Sequence, residues 1–200
     1  MRTAGEATRE RILAAAKAEF ARHGVAGARI NRIAEAARAS KDRLYAYFDS
    51  KETLFDAVIT QWIAETTEQT ALRGDDLPGY AGRLFDDYVA HPENARLQKW
   101  ADLEVREQIA DDARILTLRP KIAEIRRGQQ EGFVDPSWNA GELLLVITDI
   151  ALSLATARGG RKQAGAKSGE RTVAQRRQAT VEAVRRLIGT PAAAEAPGRE

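Results

Sequence analysis

Arg29-Ile30-Asn31-Arg32-Ile33-Ala34-Glu35-Ala36-Ala37-Arg38-Ala39-Ser40-Lys41-Asp42-Arg43-Leu44-Tyr45-Ala46-Tyr47-Phe48-Asp49-Ser50-Lys51-Glu52-Thr53-Leu54 is the stretch that decides the fold. Ile30, Ile33, Ala34 and Ala37 recur at helical spacing and predict a short helix over Ile30–Ala37. Arg38-Ala39 reads as a turn, and Ser40 as the N-cap of a second short helix whose inward residues are Leu44 and Phe48. Upstream, Ile12, Leu13, Ala16 and Phe20 form one stripe, with Arg11, Lys17 and Glu19 off it, which predicts a helix from Thr8 to Arg22. His23-Gly24 supplies its stop, because glycine tolerates the left-handed backbone that ends helices. Two short helices across a tight turn, inside a three-helix unit, make a helix-turn-helix pattern. Downstream, Asp49 followed by Glu52 reads as a capping box that opens a longer helix to about Leu72.

In such a pattern the second helix of the pair enters the major groove, and its first residues meet base edges. Here those residues are Ser40, Lys41, Asp42 and Arg43. Lysine and arginine donate to guanine O6 and N7, and aspartate accepts from cytosine N4. Ser40 is expected to cap and to touch phosphate. Tyr45 and Tyr47 offer hydroxyls to phosphates, and Arg29, Asn31 and Arg32 lie on the preceding helix beside the backbone. Arg2 and Arg9 are placed to reach phosphates from the start of the chain. Phosphate contacts fix register and carry no sequence information. The charge distribution agrees: residues 1–51 hold 11 Lys/Arg against 6 Asp/Glu, and residues 52–200 hold 20 against 23. A basic first quarter favours a polyanion.

The same string resembles the DNA-binding signature of the tetracycline-repressor (TetR) family. The resemblance runs from about Arg9 to Val58, and its most specific part is Leu44-Tyr45-Ala46-Tyr47-Phe48-Asp49-Ser50-Lys51-Glu52. It implies that Tyr45 and Tyr47 touch the DNA backbone, that Phe48 is core, and that Lys51 grips a phosphate at the start of the fourth helix. A helix N-terminus already attracts phosphate, so a cation there adds to it. The sequence departs from the family pattern at three places. Arg38 stands where a turn glycine is usual, as either an added phosphate contact or a different turn. Ala39 stands where valine is frequent. Ala28-Arg29 replaces a Thr-Thr pair and so removes the usual cap of the second helix.

The rest of the chain also reads as helical, so the expected fold class is all-α: an N-terminal three-helix DNA-binding domain and a C-terminal helical ligand-binding and dimerisation domain. The expected divisions are residues 1–50, 51–190, and a disordered tail at 191–200. Gly74 to Gly79 breaks the chain. Helices follow at about Tyr80–Ala90, Pro92–Gln108, Ile115–Glu131, Ala140–Arg158 and Thr172–Ile188. Pro120 falls in a first turn or at a kink. Residues 159–169 form a flexible basic loop.

The helix at Ala140–Arg158 is apolar nearly all round, so it needs cover on two sides. Its Leu143, Ile147, Ile150 and Leu154, with Val181, Val184 and Ile188 of the last helix, are the expected interface of a homodimer, two helices from each subunit. Trp62, Phe85, Tyr88, Trp100 and Trp138 are candidate walls of a pocket for an unidentified small-molecule effector. Asp149 joins them as a carboxylate in an apolar helix, which needs a partner or a wet cavity. Residues 75–112 carry ten Asp/Glu against four Lys/Arg, the signature of a solvated acidic face.

Several function classes are disfavoured. The chain has no cysteine and two histidines, His23 and His91, in no ligating or triad spacing, so no metal, cofactor or catalytic residue is assigned. No secretory leader is read before Glu10, and the apolar run Leu143–Ile147 is far short of the ~20 residues that span a bilayer. A soluble cytoplasmic protein that binds a double-stranded DNA operator and no membrane is expected. A helical protein-interaction module, or a similar regulator with no small-molecule ligand, are the rival readings.

Overall fold

A computed structural model describes residues 4–104, 113–157 and 171–189, with the side chains of 113–115 left out of account. Arg2, the basic loop at 159–169, the tail at 191–200 and the helix end expected at Gln108 lie outside the described residues. The described residues form nine helices and no strand, in two compact units. Of the described residues, the first unit contains 4–69 together with 90–104 and 113–117, and the second contains 70–89, 118–157 and 171–189.

The first unit begins with α1 (Ala4–Gly27), α2 (Ile30–Ala36), α3 (Lys41–Tyr45) and α4 (Lys51–Thr70), joined by α6 (Pro92–Leu103). The expected stripe of α1 is its core face: Ile12, Ala16 and Phe20 are fully enclosed, with Ile33, Leu44 and Leu54. The Phe20 and Phe55 rings meet edge-on, centroids 5.1 Å apart. Burying each such side chain stabilises the fold by ~1.5–3 kcal/mol.

Gly24 interrupts α1 as expected, at φ 65°, although helical turns resume as far as Gly27. A Cβ at Gly24 would stand 2.9 Å from the indole of Trp100, so α6 packs its tryptophan flat on a position that only glycine leaves open. The turn after α2 has Arg38 at φ 53°. Arg38 N donates to Glu35 O and Ala39 N to Ala34 O, the hydrogen-bond pair of a Schellman motif with arginine at its left-handed position. Arg38 therefore occupies the glycine conformation without being glycine.

The start of α4 corrects the expected cap. Ser50 accepts from Thr53 N at 3.0 Å, and Thr53 Oγ1 accepts from Ser50 N at 3.0 Å. The reciprocal box is Ser50 and Thr53, one residue later than Asp49 and Glu52, because the hydroxyl at 50 reaches both orphan donors.

The second unit contains α5 (Leu77–Ala90), α8 (Ala140–Thr156), α9 (Val173–Leu187) and most of α7 (Ala113–Gln130). Pro120 lies inside α7, past its first turn, where it removes one helical hydrogen bond. Asn139 caps α8, and Thr172 with Gln175 forms a capping box on α9. Leu77, Phe85, Ile125, Leu143, Ile147, Ala151 and Val184 are fully enclosed. Gly74 and Gly128 let two backbones touch: a Cβ on Gly74 would lie 2.2 Å from Glu124 O.

The apolar character of α8 is split by this packing. Leu143 and Ile147, with Val184 of α9, are fully enclosed in the protomer's own core. Ile150, Leu154, Val181 and Ile188 are half-exposed, and Leu145 is 60% exposed.

Candidate nucleic-acid interface

The interface is set by how α2 and α3 begin. Ser40 Oγ accepts from Arg43 N at 3.1 Å and satisfies one orphan amide of α3. This cap fixes the first turn, so Lys41, Asp42 and Arg43 all stand exposed on it, with Tyr45 one turn further and also exposed. Lys41 Nζ lies 5.9 Å over the Tyr45 ring and Arg43 Cζ 5.5 Å over the Tyr47 ring. Each cation thus rests on an aromatic face, which limits its side-chain freedom.

Helix α2 has no local cap: Arg29 is its N-cap residue and makes no side-chain cap hydrogen bond. A group from α1 replaces it. Glu19 Oε1 accepts from Arg29 N at 2.9 Å and from Arg32 Nε at 2.8 Å. Burial pushes the Glu19 carboxyl up, but the hydrogen bonds from Arg32 and from the Arg29 backbone outweigh it and hold the group below the usual carboxylate range. At the other end of α2, Arg11 Nε donates to Ala37 O at 3.2 Å. Glu19 and Arg11 carry no role in the sequence reading. The signal that points to Glu19 is the missing hydroxyl at positions 28 and 29, which leaves an amide that something else must satisfy.

Two expected phosphate contacts have additional partners. Tyr47 is half-buried, and its hydroxyl donates to Gly5 O at 3.1 Å, tying the start of α1 to the end of α3. Lys51 Nζ lies 3.5 Å from both Ala26 O and Ala28 O, at the end of α1. Its charge compensates those carbonyls, and a lysine has three donors, so one remains for a phosphate. Arg29, Asn31 and Arg32 are exposed.

The matching family descriptions agree with this geometry. Residues 12–58 match "Bacterial regulatory proteins, tetR family", and residues 76–186 match "Tetracyclin repressor-like, C-terminal domain". The chain belongs to the tetracycline-repressor family. A helix-turn-helix transcriptional repressor of Streptomyces coelicolor, SCO4008, is 40% identical over 148 residues, covering 73% of this chain and 77% of the relative. The solved structure of a second Streptomyces coelicolor protein, SCO4942, described as a transcriptional regulator, superposes with a TM-score of 0.69. It is 42% identical and covers 92% of this chain and 99% of that one. The regulator FadR of Bacillus subtilis, solved with stearoyl-CoA, shares the fold alone, at 15% identity, a TM-score of 0.62, and 90% and 99% coverage. This TetR-family chain is a DNA-binding transcriptional regulator.

The candidate pocket residues of this regulator divide between its two units. Trp62 of α4 and Trp100 of α6 belong to the first, and Trp100 is occupied by Gly24. Phe85 and Tyr88 are core residues of α5 in the second. Trp138 donates its indole N–H to Leu187 O at 3.3 Å, and Asp149 is exposed, so its carboxylate needs no buried partner. Trp62 Nε1 is buried with no acceptor among the described residues. Among the described residues no group of acids and histidines could hold a metal ion, and no helix is long and apolar enough to cross a membrane.

Proposed function

We propose that this regulator is a cytoplasmic repressor that binds a palindromic operator as a homodimer and is released by a small-molecule effector. The observation that carries the operator part is the capped first turn of α3, with Lys41, Asp42 and Arg43 exposed together above the basic residues of α2. In this reading Lys41, Asp42 and Arg43 read bases. Arg29, Asn31, Arg32, Ser40, Tyr45, Tyr47 and Lys51 hold phosphates. Residues 1–50 do the reading, and residues 51–190 sense and dimerise.

One reader helix contacts too few bases to be selective, and two of them one DNA turn apart, ~34–36 Å, are. The half-exposed Ile150, Leu154, Val181 and Ile188, with the exposed Leu145, favour α8 and α9 as the dimer surface. An effector with different affinity for the two spacings of the readers shifts the equilibrium and releases DNA.

The test is selection of bound sequences from random duplex DNA at two salt concentrations, with sedimentation of the complex. A palindrome bound by two chains, with affinity falling steeply as salt rises, is the expected result. An enriched site without two-fold symmetry, bound by one chain, would refute the dimeric reading. No salt-sensitive binding would refute the operator reading itself.

A further inference from the structure

Inside the second unit a cation is buried with no acid paired to it among the described residues. Lys121 lies on α7, one residue after Pro120, and is 6% exposed. Its Nζ stands 5.5 Å from the centroid of the Tyr80 ring on α5. Tyr80 is 1% exposed, its hydroxyl lies beside the side chain of Thr148 on α8, and Thr148 Oγ1 donates its own proton to Leu144 O at 2.9 Å. Two helices therefore bring the amine and the ring face together in the interior, with Thr148 of a third beside the ring's hydroxyl.

Among the described residues, no carboxylate forms an ion pair with Lys121. The charged group that acts on Tyr80 is Arg83, of the same sign as Lys121. Arg83 is itself held by Asp76 at 3.0 Å and by Thr70 O at 2.7 Å, so Asp76 is already engaged. Burial alone pushes the Lys121 amine down to about 8, with no neighbouring acid to hold its proton. An unpaired ammonium in an interior is costly, and an aromatic face offsets only part of that cost. Methionine or leucine would fill the same space without it.

We propose that Lys121, over the Tyr80 ring, receives the carboxylate of a small organic acid, and that this acid is the effector. The amine supplies the counter-charge and the hydrogen-bond donors, and the Tyr80 ring is the wall against which the acid's carbon skeleton lies. One ammonium matches a monoanion. The last clause of the proposal rests on the effector reading given above; the binding site does not.

The full-length protein is titrated with benzoate, phenylacetate and octanoate, each against its own amide, by calorimetry and thermal melting. The wild type is compared with Lys121→Met and Tyr80→Phe. Lys121→Met is expected to melt at or above the wild-type temperature, since it removes an unpaired charge. At least one acid is expected to bind the wild type at least tenfold more tightly than its amide, raise the melting temperature, and lose that preference in Lys121→Met. Tyr80→Phe, which keeps the ring under the amine, should keep that acid's preference over its amide. Lys121→Met melting well below the wild type would mean that the amine has a partner within the chain, and would overturn the proposal. No acid preferred over its amide would overturn it equally. Operator release separates the two readings. An acid bound through Lys121 that leaves operator bound keeps the site and sinks the effector reading. A neutral compound that releases operator equally from wild type and Lys121→Met keeps the effector reading and sinks this assignment.

Discussion

Glu19→Ala should destabilise the DNA-reading unit although Glu19 lies outside the reader helix. The carboxylate accepts from Arg29 N at 2.9 Å and from Arg32 Nε at 2.8 Å, and its side chain is only 11% exposed. Loss of a helix N-cap costs ~1 kcal/mol. The Arg32 contact adds less than ~1 kcal/mol, because the Arg32 side chain is 42% exposed and solvent screens the pair. The expected loss is about 1–2 kcal/mol, which for a chain of this size lowers the melting temperature by roughly 3–6 °C. The backbone of Arg29 is extended, at φ −120° and ψ 121°, the conformation from which a serine can cap. Arg29→Ser should therefore restore about 1 kcal/mol in the Glu19→Ala background and have little effect alone. The four proteins form a double-mutant cycle read by thermal and urea unfolding. A melting temperature for Glu19→Ala within about 1 °C of wild type would refute the capping role. An equal effect of Arg29→Ser in both backgrounds would refute the link between the two positions.

Three further changes are predicted. Arg38→Gly should raise stability by roughly 0.5–1 kcal/mol, because it relieves a left-handed arginine and loses part of the gain to unfolded-state entropy; an unchanged salt slope of operator binding would show that Arg38 serves the turn, and a slope reduced by about 1 that it holds a phosphate. Lys51→Ala should weaken binding to all duplexes alike and flatten the salt slope by about 1, measured by anisotropy across salt; altered sequence preference alone would sink its assignment to the backbone. Unfolding free energy should rise between pH 8 and about 9.5 by about 2 kcal/mol in wild type relative to Lys121→Met, since the unfolded chain keeps the lysine proton up to 10.5 while the folded chain releases it at about 8. Tyr80, which burial pushes the opposite way above its ordinary 10.0, confines the reading to that window, and a flat difference would mean that Lys121 is not desolvated.

The periodic part of the molecule was legible because burial follows spacing. Ile12, Ala16, Phe20, Ile33 and Leu44 were expected inward and are fully enclosed. Ser40 caps α3 and Pro92 opens α6 as their side chains dictate. What was hidden depends on groups far apart in sequence. Glu19 acts on α2 from ten residues upstream of Arg29, and no periodicity encodes that. Gly24 reads as a stop from its local sequence, but the Trp100 ring packed against it comes from α6, and no local pattern pairs the two. Asp149 looked anomalous on an all-apolar helix only until α8 acquired an outward face with Glu142 and Ser153.

The division of α8 bears directly on dimerisation. A helix apolar on every side invites the inference that any of its leucines can serve an interface, yet each side chain can be buried only once. Leu143, Leu144 and Ile147 are enclosed within their own chain, so their removal would leave cavities in the protomer. Such a variant would lose monomer stability and dimer affinity together, and could not separate the two. Leu145 is 60% exposed, and its truncation leaves no internal cavity. Leu145→Glu therefore tests the dimer where Leu143→Ala does not. If α8 meets a second chain, the charge shifts sedimentation to the single chain and weakens operator binding, with the unfolding of the isolated chain almost unchanged. If the chain still sediments as a dimer, α8 is not its interface, and the half-exposed Val181 and Ile188 of α9 become the positions to substitute.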